Sequence, residues 1–209
     1  MQNPIRGLLH GSAALVAIVG LAVLVAEAAD DGAPILAGVA LFGLALIVMF
    51  TVSALYHSVP WSERWRARMQ RLDHSLIFVV VAATFTPFAL AALDGWTLAA
   101  ALTLVWGIAV VGIVLKYVLK SPKTGLSITL QMAMGWSALV WTPWFTAHLG
   151  WGAVWLILAG GACYVLGTII FATRRPRLFP RIFSHHEVFH VLVIAGSGLH
   201  FWAIAGYVA

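Results

Sequence analysis

The run Ser184-His185-His186-Glu187-Val188-Phe189-His190 opens the last long apolar segment of this 209-residue chain. If residue 186 onward is helical, His186 and His190 stand about one turn apart on one face, where two imidazoles can grip a single cation. Histidines that enter a bilayer are costly to desolvate, so an intramembrane pair defaults to a functional reading. The plainer alternative is two interfacial histidines wetted by headgroup water. The H-x-x-x-H spacing also arises by chance, so other parts of the chain must supply the remaining ligands.

Composition limits where those ligands can come from. Hydrophobic residues make up 62% of the chain and charged residues 9%, with a mean hydropathy of +0.98. A water-soluble domain of this size would not tolerate such a balance, so the chain is read as an integral membrane protein. Its one cysteine, Cys163, lies in an apolar run, which excludes a disulfide framework and a cysteine-based metal knuckle. Nitrogen and oxygen must therefore hold any metal. The formal charge of +5 is accounted for by topology, below, and no nucleic-acid role is assigned.

Apolar segments of about 20 residues can span hydrocarbon as helices. Seven are expected, at about residues 8 to 28, 35 to 57, 74 to 93, 97 to 119, 126 to 146, 151 to 172 and 187 to 207. Short linkers separate them, among them Asp30-Asp31-Gly32-Ala33-Pro34, Ser58-Val59-Pro60, Asp94-Gly95, Ser121-Pro122-Lys123 and Gly150. Arg6 and Ala26-Glu27-Ala28 resemble parts of a secretory signal. A single basic residue and a long apolar run read better as a retained first span. No second domain, internal repeat or low-complexity tract is visible, and residues 1–209 are read as a single membrane domain.

With these spans all 12 Lys and Arg residues fall on one side. They are Arg6; Arg64, Arg66, Arg68 and Arg71; Lys116, Lys120 and Lys123; and Arg174, Arg175, Arg177 and Arg181. Glu27, Asp30, Asp31 and Asp94 fall on the other. The positive-inside rule then gives an all-α, seven-transmembrane-helix bundle of the plasma (or bacterial inner) membrane, N-terminus cytoplasmic and C-terminus outside. Trp61 and Trp65 near the inner boundary, and Trp96, Trp144 and Trp151 near the outer one, fit aromatic belts. The basic loops are expected to meet anionic headgroups non-specifically.

This orientation brings polar groups from distant segments to one depth. The second span ends inside with Ser53-Ala54-Leu55-Tyr56-His57, whose first and last residues share a face. The third starts inside with Leu72-Asp73-His74-Ser75, and the seventh with His186 and His190. Three histidines with a nearby carboxylate and hydroxyl form the donor set of a catalytic-type zinc site, which has three protein ligands and an open position. Each residue also has a plainer role. His57 is a candidate interfacial histidine, Ser53 for a bond back to the carbonyl four residues earlier, and Asp73 for capping the third helix.

The other polar residues are secondary. His74 and Glu187 are each offset by about 100° from the proposed faces; His74 is read as a hydrogen-bonder behind the ligands and Glu187 as an inner-boundary charge. His185 replaces His186 if the register slips. His10 lies at a comparable depth, whereas His200 is about 15 Å beyond His190 on helical rise, too deep to share the ion; both are read as buried polar contacts. His148 is placed in an outer loop. Pro87 and Pro143 are read as kinks or helix ends, with nearby threonines satisfying freed carbonyls. Gly160-Gly161 and Gly196-Ser197-Gly198 should allow close helix packing.

These residues resemble a known family. Ser53-Ala54-Leu55-Tyr56-His57, Leu72-Asp73-His74-Ser75 with Thr84-Phe85-Thr86-Pro87-Phe88, and His186-Glu187-Val188-Phe189-His190 look like the three signature motifs of the haemolysin III family. That family is the bacterial branch of the progestin and adipoQ (adiponectin) receptor superfamily. Asn3-Pro4 with His10, Gly160-Gly161 with Tyr164, and His200-Phe201 extend the resemblance over nearly the whole chain. Ala82-Ala83-Thr84-Phe85 departs from it, since bacterial relatives more often carry a glycine and a tyrosine there. The resemblance implies that His57, His186 and His190 bind Zn2+ and that Asp73 and Ser53 surround a catalytic water.

Three functions are compatible with these residues. The first is a zinc-dependent hydrolase of a lipid amide or ester, ceramidase-like by the resemblance, with Asp73 as proton acceptor and Ser53 holding the water or oxyanion. The second is a non-catalytic regulator of membrane lipid state, a receptor-like bundle in which zinc staples the second and seventh helices together. The third is a pore-forming haemolysin, as the family name implies, although the few polar residues in the spans cluster at one end. Membrane lipids are the expected partners in each case.

Overall fold

The computed structural model describes residues 4–119, 124–179 and 182–209. The protein is all-helical: α1 Pro4–Glu27, α2 Ala33–Ser58, α3 Glu63–Ala92, α4 Gly95–Val118, α5 Thr124–Ser137, α6 Thr142–Thr173 and α7 His185–Tyr207. Short 3₁₀ turns follow α1 at Ala28–Asp30 and precede α6 at Ala138–Trp141. Lys120 and Lys123 of the expected basic loop, and Arg181, lie outside the described residues.

Among the described residues six segments are long and apolar enough to cross a membrane, rather than the seven expected, because the fifth and sixth join in one run, Gly125–Thr173. At 1.5 Å per residue those 49 residues would reach about 73 Å, more than twice the ~30 Å of a hydrocarbon core. The run is broken where the sequence allows it. The Ala138–Trp141 turn tightens the backbone, and Gly150 takes φ 80°, ψ 168° inside α6, a conformation open to a residue without Cβ. Pro143 therefore begins a helix, at N1/N2 of α6, and does not kink one.

α3 differs from expectation at its inner end. It starts at Glu63, about three turns before the expected residue 74. That first stretch is largely solvent-facing, with Arg64, Arg66, Arg68 and Arg71 all exposed. Further along, Ala82 to Ala89 are buried without a break, which makes α3 the centre of the bundle. Around it α2 packs on α1 and α3, α4 packs on α3, α6 packs on α7, and α1 closes the ring against α7. The Pro87 ring interrupts α3 without ending it. Thr84 and Thr86 do not serve the carbonyl that Pro87 frees; they donate to Val80 and Ala82, at 2.7 and 2.8 Å. Trp106 of α4 in turn donates to the Thr86 hydroxyl.

Much of the outer surface is apolar, as a lipid-facing wall must be: Leu8, Leu15, Val16 and Val19 on α1, Val110 and Val114 on α4, and Trp96, Trp151 and Trp202 are exposed. His148 is also exposed, but it sits on α6 and not in a loop, its Nδ1 3.0 Å from the Trp144 carbonyl. The α6–α7 packing uses one glycine of each expected motif, Gly160 and Gly196; a Cβ on Gly196 would come within 3.0 Å of the Gly160 carbonyl oxygen. A Cβ on Gly160 would enter the His200 ring, whereas Gly161 and Gly198 face open space. His200 uses that room to reach the Ile157 carbonyl with Nε2 at 3.1 Å, a buried polar contact as expected.

Candidate metal centre

The start of α7 sets the geometry of the site. Glu187, the third residue of the helix, accepts the Ser184 N–H at 2.8 Å and so fixes the first turn. With the register set, His186 and His190 point to one side, their ring centroids 5.0 Å apart. His57, in the last turn of α2, meets both: its ring is 5.3 Å from that of His186 and 5.0 Å from that of His190. One donor nitrogen from each of the three lies within 4.8 Å of the others. No other such group of three His, Cys, Asp or Glu donors is found among the described residues.

The donor set fits a zinc-type ion. Bonds of about 2.0 to 2.1 Å in tetrahedral array place nitrogens about 3.4 Å apart, which modest side-chain rotation can reach from this spacing. The surroundings are dry: His57 and His190 are buried, His190 to 2% exposure. The Nδ1 of His190 has no hydrogen-bond partner, and a buried nitrogen without one is costly unless something else satisfies it. Phe171 meets His186 edge-on at 5.1 Å and walls the site from the α6 side.

Asp73 and Ser53 face each other and line the same cavity as His186 and His190. α3 begins ten residues before Asp73, which excludes the capping role. Its carboxylate faces the Ser53 hydroxyl, and Ser53 does not bond back to its own helix. Asp73, His74, Ser53, His186 and His190 line one large cavity of about 940 Å³ between α3, α5, α6 and α7. From Gln70 to Phe88 the cavity follows α3 for 19 residues, about 27 Å of helix. Its walls are mostly apolar, with Ile77, Val80, Phe85, Phe145, Val165 and Val193 among them. α5 leaves the space open, since Met134 alone of its described side chains is buried.

Three residues have larger parts than their sequence context implied. His10 stacks on His190 with centroids 3.9 Å apart, meets Phe50 edge-on, and leaves both ring nitrogens buried without a partner. The i, i+4 relation of His10 to Arg6 was the available signal. Arg6 belongs to the same interface: its Nε donates to Glu187 at 2.7 Å, the one ion pair among the described residues. Glu187 is therefore a buried, paired carboxylate and not a free boundary charge. α1 thus holds α7 at two points one turn apart, Arg6 on Glu187 and His10 on His190. The third is Lys116, expected in an inner loop but buried on α4 within Coulombic reach of Asp73.

Replacing one member of a buried ion pair strands the other. Arg6→Met is expected to destabilise the protein more than Glu187→Gln. It leaves a carboxylate at 7% side-chain exposure, whereas the Arg6 guanidinium, at 21%, can still reach water. The cost is about 2 to 4 kcal/mol for Arg6→Met, at or below the range for a fully buried pair. Thermal unfolding in detergent measures it, and equal losses for the two variants would contradict the asymmetry.

The family described as "Haemolysin-III related" matches residues 1–201. The chain is 30% identical over 199 residues to the hemolysin-3 homolog of Bacillus subtilis (strain 168), an alignment covering 95% of this chain and 90% of that protein. It is 30% identical over 205 residues to hemolysin-3 of Bacillus cereus, covering 95% and 88%. A shorter alignment, 39% identical over 67 residues, relates 30% of the chain to 15% of the adiponectin receptor protein of Drosophila melanogaster. With six apolar span-length segments and full-length matches of this kind, the chain is a multi-pass plasma-membrane protein of the haemolysin-III-related family.

Proposed function

We propose that this protein is a zinc-binding membrane hydrolase that cleaves an amide or ester bond of a lipid held in its internal cavity. The observation that carries the reading is the continuity of the His57, His186 and His190 cluster with a 940 Å³ apolar cavity whose lining includes Asp73 and Ser53. A cluster of donors alone would support only a structural metal. A cavity of this size lies within the range of small-molecule sites, and its walls are mostly apolar.

In this reading His57, His186 and His190 hold the ion as neutral imidazoles. When bound, the metal lowers the pKa of a coordinated water toward neutrality and polarises a carbonyl. Asp73 accepts the proton of the attacking water and passes it to the leaving amine or alkoxide. The Ser53 hydroxyl donates to the oxygen on which charge develops. The apolar tail of the substrate occupies the cavity along α3, which places the scissile bond at the inner end and excludes bulk water. The 49-residue run makes two crossings that reverse at Gly150, giving seven in all; the basic loops then set a cytoplasmic N-terminus and an outward C-terminus.

The test is turnover by purified, zinc-replete protein of ceramides, N-acyl amides and phospholipids in mixed micelles. Release of fatty acid from one class by wild type, and none by His190→Ala, is the expected result. Zinc present with no product from any class would remove the enzymatic reading.

A second reading is favoured by the α1–α7 clasp of Arg6–Glu187 and His10–His190. Here the metal staples helices that are far apart in sequence, and the bundle regulates membrane lipid state without catalysis. Stripping zinc would then lower the melting temperature sharply, while a variant disabled at Asp73 would keep its cellular effect. The polar residues gathered at one end argue against a pore, although two relatives carry the name hemolysin.

A further inference from the structure

Among the described residues, Lys116 is the one cation of the basic loops that the fold buries. Gly112 faces the Phe78 ring so closely that a Cβ there would enter it, so α4 lies flush against α3. One turn further along α4, the Lys116 side chain is directed at the part of α3 that carries Asp73 and His74. Its exposure is 6%, and its Nζ lies 6.0 Å from the centroid of Phe78. A snorkelling lysine keeps its ammonium in water; this one lines the large cavity. Among the described residues it has neither an ion pair nor a hydrogen-bond partner.

A lysine side chain enclosed to this degree without an ion pair is costly, and Asp73 does not remove the cost, since Arg6–Glu187 is the one ion pair among the described residues. Donors line the same cavity: Gln70 and the exposed Arg71 from α3, and Ser127 and Gln131 from α5, of which Ser127 also shares a small groove with Lys116. Two cations against the single carboxylate of Asp73 leave this end of the cavity net positive, while the walls beyond it are mostly apolar, with Thr84, Tyr164 and His200 interspersed.

We propose that the inner end of the cavity is a subsite for the anionic headgroup, carboxylate or phosphate, of a single-chain amphiphile, with Lys116 as its principal cation. The tail lies along α3, and the head is held by Lys116 with Arg71 and Gln131. This specifies the ligand class for the cavity and rests on the lipid-binding part of the proposed function, but not on the metal. Under the hydrolase reading the same subsite would receive the carboxylate of the released product or an acidic group on the substrate.

The test uses full-length protein in phosphatidylcholine nanodiscs and binding of tritiated palmitate, with unlabelled hexadecyl phosphate and hexadecanol as competitors. Palmitate or hexadecyl phosphate should bind about tenfold or more tightly than hexadecanol. Lys116→Met should remove that advantage and leave hexadecanol affinity unchanged, while Lys116→Arg should retain it. The anion that Lys116→Met weakens more identifies the head as carboxylate or phosphate. The contrast should persist after EDTA treatment, and hexadecanol binding by Lys116→Met serves as the check that the cavity is intact.

If hexadecanol binds wild type as tightly as the anions, or Lys116→Met loses nothing, the subsite is overturned while the lipid cavity stands. If the preference for anions disappears with EDTA and survives Lys116→Met, the metal and not the lysine holds the head, and the proposal falls. If none of the three amphiphiles binds, the subsite and the lipid-cavity reading fall together.

Discussion

Protein purified without chelator is expected to carry about one zinc per chain, and His190→Ala to carry almost none. His190 is the most enclosed of the three imidazoles and the only one that touches both His57 and His10. Loss of residues that merely orient metal ligands typically costs 10- to 100-fold in affinity, so loss of a ligand should cost about 100-fold or more. His57→Ala and His186→Ala should behave alike, because each leaves two donors where three converge. His74→Ala and His185→Ala should keep their zinc, since neither belongs to the converging set. Elemental analysis with competitive chelator titration decides the matter. Full zinc in any one of the three ligand variants would dismantle the proposed centre.

The second large effect concerns Asp73. Asp73→Asn keeps the shape of the side chain and an oxygen toward Ser53 but cannot take up a proton at neutral pH. Turnover should fall by about 10²- to 10⁴-fold, the usual contribution of general acid–base catalysis, with zinc content near that of wild type. Ser53→Ala should lower the rate as well, by up to about 10²- to 10³-fold if its hydroxyl meets the developing oxyanion. Metal content and rate measured on the same preparation separate the roles: the histidine variants lose both, and Asp73→Asn loses the rate alone. An Asp73→Asn protein that turns over at the wild-type rate would remove Asp73 from the chemistry while leaving the metal centre untouched.

Of the helices, α1, α2, α4 and α7 were legible to within a few residues, because a span is defined by its apolar run and that run is local. The inner start of α3 was less so. Residues 63 to 72 are too polar to register as a span, yet they continue the helix along the exposed inner edge, where charged side chains cost nothing. The fifth and sixth spans were expected to part cleanly at Gly150. The glycine does break the helix, but a 3₁₀ turn at Ala138–Trp141, just ahead of Pro143, interrupts the fifth span as well, so that the proline starts the next helix instead of kinking one.

The candidate site divides along the same physical line. Sequence by itself determined the membrane class and the donor types, because hydropathy and helical spacing act through neighbours in the chain. It placed Ser53, His57, Asp73, His186 and His190 at one level, and the fold brings them to one place. Only the tertiary structure decided which neighbours surround them. Arg6 and Glu187 are 181 residues apart, and their pairing, like the stacking of His10 on His190, depends on α1 lying against α7. Lys116 counted as a loop charge because spacing along α4 gives its distance from the membrane edge but not the direction of its side chain. That direction follows from the close contact of Gly112 with Phe78. The cavity likewise follows from how loosely α5 packs, a property of the assembled bundle that no single helix encodes.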